Sequence, residues 1–277
     1  MISQPKMRIA TWNVNSLRVR LPHVLEWLAE TQVDCLGLQE TKLIDEKFPK
    51  AEIEAAGYHV IFAGQPTYNG VAILVRQDRY QAPEQVQINN PLFPDEQVRM
   101  IAATIRPTHA AIADNTQALR FISAYVPNGS EVGSDKYAYK LRWLESIQQF
   151  LKNELATHPM LAVVGDYNIA PDDRDVHDPQ AWHEQVLCST PEREHFKGLL
   201  SLGLHDAFRL KEQDENLFSW WDYRQAAFRR NRGLRIDHLL ITHSLATRCT
   251  DSGIDTGPRK KEQPSDHAPA WADIAWP

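Results

Sequence analysis

Met160-Leu161-Ala162-Val163-Val164-Gly165-Asp166-Tyr167-Asn168 runs from five apolar residues through a glycine to a carboxylate and an amide two positions apart. An apolar run of this length reads as a buried strand, and the polar pair then stands where strand gives way to loop. The same arrangement recurs along the chain. Residues 8–14 carry Trp12-Asn13-Val14-Asn15, and residues 33–38 run into Gln39-Glu40-Thr41-Lys42. Residues 235–241 open on Arg235-Ile236-Asp237-His238, and Pro264-Ser265-Asp266-His267 precedes a last apolar run over 268–274. Strand ends on a rigid sheet are where folds built on sheets place their chemistry.

The segments between are strand-rich as well. Residues 58–63 and 70–76 read as a hairpin, with Pro66-Thr67-Tyr68-Asn69-Gly70 supplying the turn. Residues 99–105 and 120–126 are further strand candidates, either side of a surface loop over 107–117, and 218–221 begins another strand. Helical spacing appears in 21–30 (Leu21, Val24, Leu25, Leu28) and in 137–155 (Leu141, Leu144, Ile147, Phe150, Leu151). Residues 172–196 are polar and expected to be irregular, ahead of a short helix over 196–201. Strands come in pairs with few helices between them. The expected fold is therefore α/β, with two mixed sheets packed face to face and helices outside, rather than a doubly wound parallel sheet.

No linker, low-complexity tract or fixed-period repeat divides the 277 residues, so a single domain over 7–277 is expected, behind a short N-terminal extension at 1–6. With 43% hydrophobic and 24% charged residues the composition is that of an ordinary globular chain. The apolar runs are too short to span a bilayer, and Met1-Ile2-Ser3-Gln4-Pro5-Lys6-Met7 lacks the apolar stretch of a signal peptide. Cys35, Cys188 and Cys249 have no metal-type spacing, which suits a reducing cytoplasm. A net charge of −6 argues by itself against a nucleic-acid partner. Its distribution argues the other way. Arg224, Arg229, Arg230, Arg232 and Arg235 are interleaved with Phe218, Trp220, Trp221, Tyr223 and Phe228, and Arg259, Lys260 and Lys261 lie just before Asp266. Such a face can attract phosphates while the remaining surface is acidic.

Each polar cluster has a bland reading alone: a salt bridge for Glu40, an Asx-turn for Asp166 and Asn168, a structural His267. Together they read as a hard-cation site beside a general base. Glu40 with Asn13 is a minimal ligand set for Mg²⁺, which takes one or two carboxylates and keeps several waters. Asp166 can hold or deprotonate an attacking water, with the Asn168 amide on a phosphate oxygen. A histidine held by a carboxylate, Asp237 or Asp266, has its pKa raised and can donate to a phosphate near neutral pH.

Five segments in order carry a resemblance: Leu38-Gln39-Glu40-Thr41-Lys42, Gly165-Asp166-Tyr167-Asn168-Ile169, Phe218-Ser219-Trp220-Trp221-Asp222-Tyr223, Asn231-Arg232-Gly233-Leu234-Arg235-Ile236-Asp237 and Pro264-Ser265-Asp266-His267-Ala268-Pro269. From about Arg8 to Trp271 the chain resembles the exonuclease III family, the bacterial branch of the endonuclease/exonuclease/phosphatase superfamily. The resemblance implies a four-layered α/β sandwich and an Mg²⁺- or Mn²⁺-dependent DNA-repair hydrolase. Such enzymes cut duplex DNA 5′ to abasic sites, degrade 3′ ends and remove 3′ blocking groups including phosphate.

By the same resemblance Asn13 and Glu40 match the metal neighbourhood, to which Asp166, Asn168, Asp266 and His267 also belong. Asp166 matches the group that activates water, Asn168 sits beside it on the phosphate, and Asp237 with His267 matches an Asp–His pair. Tyr125, in Ala124-Tyr125-Val126-Pro127-Asn128, matches the active-site tyrosine. Asn15, Asn128 and Arg224 fall among the DNA contacts, and Trp220, Leu234 and Ile236 match an apolar pocket for a flipped-out sugar. Trp221 stands where bacterial relatives often carry Phe, and Asn128 where some carry Gln. The partner implied is double-stranded DNA with abasic sites or blocked 3′ ends, bound by a monomer and without a membrane. Three alternatives stay open: a 3′-end processor with little abasic activity, a phosphohydrolase of the same fold acting on another substrate, and a binding module that has lost a catalytic group. The last would lack one of Glu40, Asp166, Asn168, Asp237, Asp266 or His267, and all six are present.

Overall fold

The computed structural model describes residues 6–108 and 117–276. In chain order the elements are β1 (Lys6–Asn13), α1 (Leu17–Thr31), β2 (Cys35–Gln39), α2 (Lys50–Ala55), β3 (Tyr58–Ala63), β4 (Val71–Arg76), β5 (Glu84–Ile88), β6 (Met100–Ile105) and β7 (Leu119–Tyr125). There follow α3 (Asp135–Leu155), β8 (Leu161–Asp166), α4 (Thr190–Ser201), β9 (Leu204–Asp206), β10 (Asp237–Thr242), α5 (His243–Ala246), β11 (Cys249–Ile254) and β12 (Ala270–Ala275). They form two six-stranded sheets, ordered β11-β12-β1-β2-β4-β3 and β5-β6-β7-β8-β10-β9. Each sheet is mixed, because β1 and β2 run parallel in one and β7 and β8 in the other, among antiparallel neighbours.

The apolar runs explain the layering. β1, β2, β7 and β8 are buried along almost their whole length because each is covered on both faces. Between the sheets lies a core that includes Met7, Ile9, Ile73, Ile101, Phe121, Val164 and Ile241. Outside the first sheet Val24, Trp27 and Leu28 of α1 and Ile53 of α2 pack on Trp12, Leu36 and Leu74. Outside the second, Trp143, Ile147 and Phe150 of α3 and Phe196 and Leu199 of α4 pack on Ile122, Val163 and Leu240. Four layers result, as the sequence leads one to expect. The sheets pack tightly at Gly37, where a Cβ would lie 2.9 Å from both Ser123 Oγ and Val164 Cγ2, leaving room for glycine alone.

Several local expectations need correction. α4 starts at Thr190 and not near 196, because Glu192 accepts the Ser189 amide at 3.1 Å and closes a capping box within the stretch read as irregular. Residues 218–221 form no strand, only single bridges from Trp220 to Leu234 and His267. β5, β9, β11 and α2 have no counterpart in the sequence reading. β5 and β9 are edge strands, and β11 (Cys-Thr-Asp-Ser-Gly-Ile) carries no apolar alternation. Most of the 107–117 loop and of the N-terminal extension lies outside the described residues. No helix among the described residues is long and apolar enough to cross a membrane.

Arg235 also departs from expectation. Grouped with the basic surface run, it is in fact 1% exposed, while Arg224, Arg229, Arg230 and Arg232 are exposed. Its guanidinium reaches Asp175 Oδ1 and Asp206 Oδ2, each at 2.7 Å, and donates to His238 Nδ1 at 3.0 Å. His238 is thereby neutral, accepting at Nδ1 and donating from Nε2 to the Ile169 carbonyl at 2.8 Å. Burial, helped by the guanidinium, drives its pKa down to about 4. Removing this cation leaves buried Asp206 without an ion-pair partner and Asp175 with Arg209 alone. Arg235→Met is therefore expected to cost about 3–5 kcal/mol, lowering Tm on the order of 10 °C; an unchanged melting curve would contradict this.

Candidate active site

Sheet topology gathers the polar clusters. β1 and β2 are parallel and in register at Asn13 and Gln39, so Asn13 and the following Glu40 leave the first sheet at one edge. β7 and β8 repeat this in the second sheet, with Tyr125 beside Asp166, and antiparallel β10 places its first residue, Asp237, opposite Asp166. β12 runs antiparallel to β1, so the residues just ahead of it, 264–267, arrive at the same edge. Glu40, Asn15, Lys42 and Asn168 all have left-handed backbone, φ 52°, 43°, 55° and 48°. That conformation is uncommon outside glycine, and such strain clusters at functional sites.

The side chains form one network. The Asn13 amide donates to Glu40 Oε1 at 2.8 Å and to Asp166 Oδ2 at 2.9 Å, while its Oδ1 accepts the Asn15 amide at 2.9 Å. Asn13, which the sequence places in the metal neighbourhood, bridges two carboxylates with its NH₂. Asn15 donates to Asp266 Oδ1 at 2.9 Å, and Trp220 Nε1 takes the other Asp266 oxygen at 3.0 Å. Asn168 donates its backbone N–H to Asp166 Oδ1 at 2.9 Å, and its Oδ1 accepts from Asn128 at 3.1 Å. His267 Nδ1 lies 2.9 Å from Asp237 Oδ2, and its Nε2 lies 3.7 Å from Asp166 Oδ2.

The electrostatics follow from burial. Asp166 is 1% exposed, and desolvation lifts its pKa well above the carboxylate range; His267 pulls it down and Asp237 pushes it up. Burial acts against protonation of His267, but Asp237, Asp166 and Asp266 outweigh it and raise the pKa to about 10. Burial opposes ionisation of Asp266 too, yet His267, Asn15 and Trp220 hold its pKa below the ordinary value. Tyr125 is pushed well upward by burial and then by Glu40 and Asp166, so its phenol keeps its proton.

Four carboxylates (Glu40, Asp166, Asp237, Asp266) thus meet two side-chain cations, His267 and Lys42, the latter 3.0 Å from Glu40 Oε2. The excess is formally −2, in a place where water is scarce. Ligand atoms of Glu40, Asp166 and His267 lie within 4.8 Å of one another. Oxygen donors with uncompensated negative charge fit a hard divalent cation.

Two depressions flank this centre. One, of 520 Å³, runs past Glu40, Tyr125 and Asn128 between Tyr68 and Arg99. The other, of 380 Å³, lies between Trp220, Trp182 and His177 with Arg224 and Arg232 on its rim. Leu234 and Ile236 are 0% and 1% exposed, so they support Trp220 from beneath and do not line an open cavity in this conformation.

Sequence reasoning passed over four contributors. Ser219 Oγ accepts the Ile236 and Asp237 amides, each at 3.0 Å. Ser265 Oγ donates to the Asn13 carbonyl at 2.7 Å, and Arg259 donates to the Ser265 carbonyl at 2.5 Å. Lys140 reaches the site from α3. Only Lys140 left a trace in the sequence: with Tyr137, Leu144, Ile147 and Leu151 it lies on the apolar stripe of a helix, where a charge demands a partner.

Comparison with known proteins agrees with this geometry. The profile of the Endonuclease/Exonuclease/phosphatase family matches residues 10–267. The chain is 38% identical to exodeoxyribonuclease III of Haemophilus influenzae over 97% of its own length and 100% of that protein's. Among solved structures it is similar to the 3′ phosphatase NExo from Neisseria bound to a product DNA hairpin, with TM-score 0.90, 42% identity, and coverage of 98% of this chain and 100% of that one. An AP endonuclease from Archaeoglobus fulgidus gives TM-score 0.86 at 37% identity, covering 96% and 98%. By fold, strand-end carboxylates and sequence, this chain belongs to the endonuclease/exonuclease/phosphatase family.

Proposed function

We propose that this protein is a divalent-metal-dependent DNA-repair phosphodiesterase. It cuts duplex DNA 5′ to abasic sites, removes nucleotides from 3′ ends and hydrolyses 3′-phosphates. The observation that carries the reading is Asp166, buried with its pKa raised, meeting protonated His267 and Glu40 at the shared edge of both sheets. In this reading Asp166 takes a proton from the attacking water. The water oxygen bonds to phosphorus as the P–O3′ bond breaks and the 3′ oxygen leaves with the bonding pair. His267, held by Asp237, and the Asn168 amide donate to the phosphate oxygens on which charge builds. Tyr125 and Asn128 line the groove that receives the phosphate, and Asn15 and Arg224 contact the DNA strand. Glu40 and Asp166, with Asn13, Asn168 and Asp266 around them, would hold Mg²⁺ or Mn²⁺, which would supply further charge neutralisation at the phosphate, while protonated His267 stands beside them as a donor. The protein acts as a cytoplasmic monomer, a single domain over residues 7–277, with the exposed arginines beside Trp220 meeting the backbone.

One observation favours a second reading, a 3′-end processor with little abasic activity: Leu234 and Ile236 offer no open apolar cavity for a displaced sugar. Two labelled duplexes separate the two, one with an internal abasic analogue and one with a 3′-phosphate at a nick. Comparable kcat/KM on both supports the broad enzyme; action on the 3′-phosphate alone supports the narrow one, and inactivity on both sinks both. Trp220→Ala is expected to impair abasic incision by roughly tenfold beyond its effect on the 3′-phosphate, about the worth of the apolar contact a base-free sugar loses. Equal loss on both substrates would assign Trp220 to holding Asp266 instead.

A further inference from the structure

Lys140 and Glu192 form an ion pair with both side chains 0% exposed, joining α3 to the first turn of α4. Every polar hydrogen and lone pair of the two is spoken for. The Lys140 ammonium has three hydrogens, and three acceptors surround it: Glu192 Oε1, the Asn168 carbonyl at 2.6 Å and the Asn128 carbonyl at 3.1 Å. Glu192 in turn accepts the Leu187 amide at 3.1 Å, the Ser189 amide at 3.1 Å and the Ser189 hydroxyl at 2.6 Å.

A buried ion pair is a poor way to add stability, since apolar residues of the same volume usually serve as well or better. What this pair does that apolar residues cannot is fix two backbone carbonyls of the active-site edge. Asn168 carries φ 48°, and its amide groups set the Asp166 carboxylate: backbone N–H to Oδ1 at 2.9 Å, side-chain Nδ2 to Oδ2 at 3.3 Å. Asn128 reaches Asn168 Oδ1 from the loop after β7. A cation under both carbonyls therefore ties the β7 and β8 loops together and aims Asp166 through Asn168.

Resting on the functional reading above, we propose that Lys140, balanced by Glu192, is a positioning residue for hydrolysis: it orients the Asn128–Asn168–Asp166 chain without touching DNA. The same pair also reaches the other flank of the site. The Leu187 amide held by Glu192 belongs to the apolar cluster that packs under Trp220. One buried salt bridge thus spans the phosphate side and the sugar side of the centre.

The experiment compares the full-length parent with Lys140→Met/Glu192→Gln and with Glu192→Gln alone, all with Mg²⁺, on a duplex carrying an abasic analogue. The double variant removes both charges together, so no lone ion is left buried. Misplacing a catalytic group by about 1 Å costs on the order of 100-fold. The double variant is therefore expected to lose about 100-fold in kcat, with KM for DNA within a few-fold of the parent. Glu192→Gln keeps the Lys140 nitrogen and its N–H donors under both carbonyls and is expected to hold kcat within a few-fold, whatever it does to Tm. A double variant that folds and turns over within a few-fold of the parent overturns the proposal. So does an equal kcat loss in Glu192→Gln, which would assign the effect to the α4 cap. Should the double variant not fold, Lys140→Gln/Glu192→Gln, which again leaves no lone ion buried, replaces it under the same two criteria. An inactive parent would instead refute the functional reading, and is read separately from the variants.

Discussion

Asp166→Asn is expected to lower kcat for duplex incision by about 10²–10⁴-fold, the usual worth of a positioned general base, while DNA affinity stays within a few-fold. The substitution keeps the shape of the side chain and removes its ability to accept a proton from water. Losing the charge relieves the cost of burying it and the repulsion of Asp237, and gives up the attraction of His267. If the new amide keeps its oxygen toward the Asn13 NH₂, 2.9 Å from Oδ2, its own NH₂ faces the Asn168 backbone N–H and that bond is lost. Single-turnover cleavage and fluorescence anisotropy on the same labelled duplex separate the two quantities. Turnover within a few-fold of the parent would remove Asp166 from the water-activating role; lost binding with intact single-turnover chemistry would make it a DNA contact.

Asp237→Asn is the second large effect, and it acts through His267. Burial on its own would keep His267 neutral at pH 7; the charge of Asp237 at 2.9 Å leads the opposing effects that lift the pKa to about 10. Replacing that charge with an amide lets burial pull the pKa down. A histidine protonated through neutral pH then becomes one that loses its proton within the working range. The sign is fixed by this: activity that needs the imidazolium is present below its pKa and lost above it, so the alkaline limb of the kcat profile moves to lower pH. With the ring orientation also weakened, a loss of about 10²–10⁴-fold at pH 8 is expected, in line with other carboxylate-oriented histidines. An unmoved alkaline limb with a modest rate loss would mean that His267 acts without its charge.

The apolar run Met160–Val164 before Asp166, and the shorter Cys35–Leu38 before Glu40, read as buried strands. With the strands placed, the parallel pairs β1–β2 and β7–β8 bring their ends together. What stayed hidden depends on partners far away in the chain. Arg235 looks like its exposed neighbours until Asp175 and Asp206, 60 and 29 residues away, are seen to bury it. Which end of the Asn13 amide faces the carboxylates is set by the fold and not by its place in the sequence. β11 was invisible since its pairing with β12 rests on backbone hydrogen bonds, and a Cys-Thr-Asp-Ser-Gly-Ile stretch has no apolar rhythm. The start of α4 was there to be found in Ser189-Thr190-Pro191-Glu192, a capping signature hidden within a polar stretch.

The central claim is that the carboxylate edge of the two sheets hydrolyses DNA phosphoesters with a divalent cation bound. Its most direct test is incision of a 5′-labelled duplex with one internal abasic analogue by protein stripped with EDTA, before and after Mg²⁺ is restored. The account predicts no product from the stripped protein and a single cut on the 5′ side of the analogue once Mg²⁺ is added. Equal incision in EDTA, or none with Mg²⁺ or Mn²⁺ present, would contradict it.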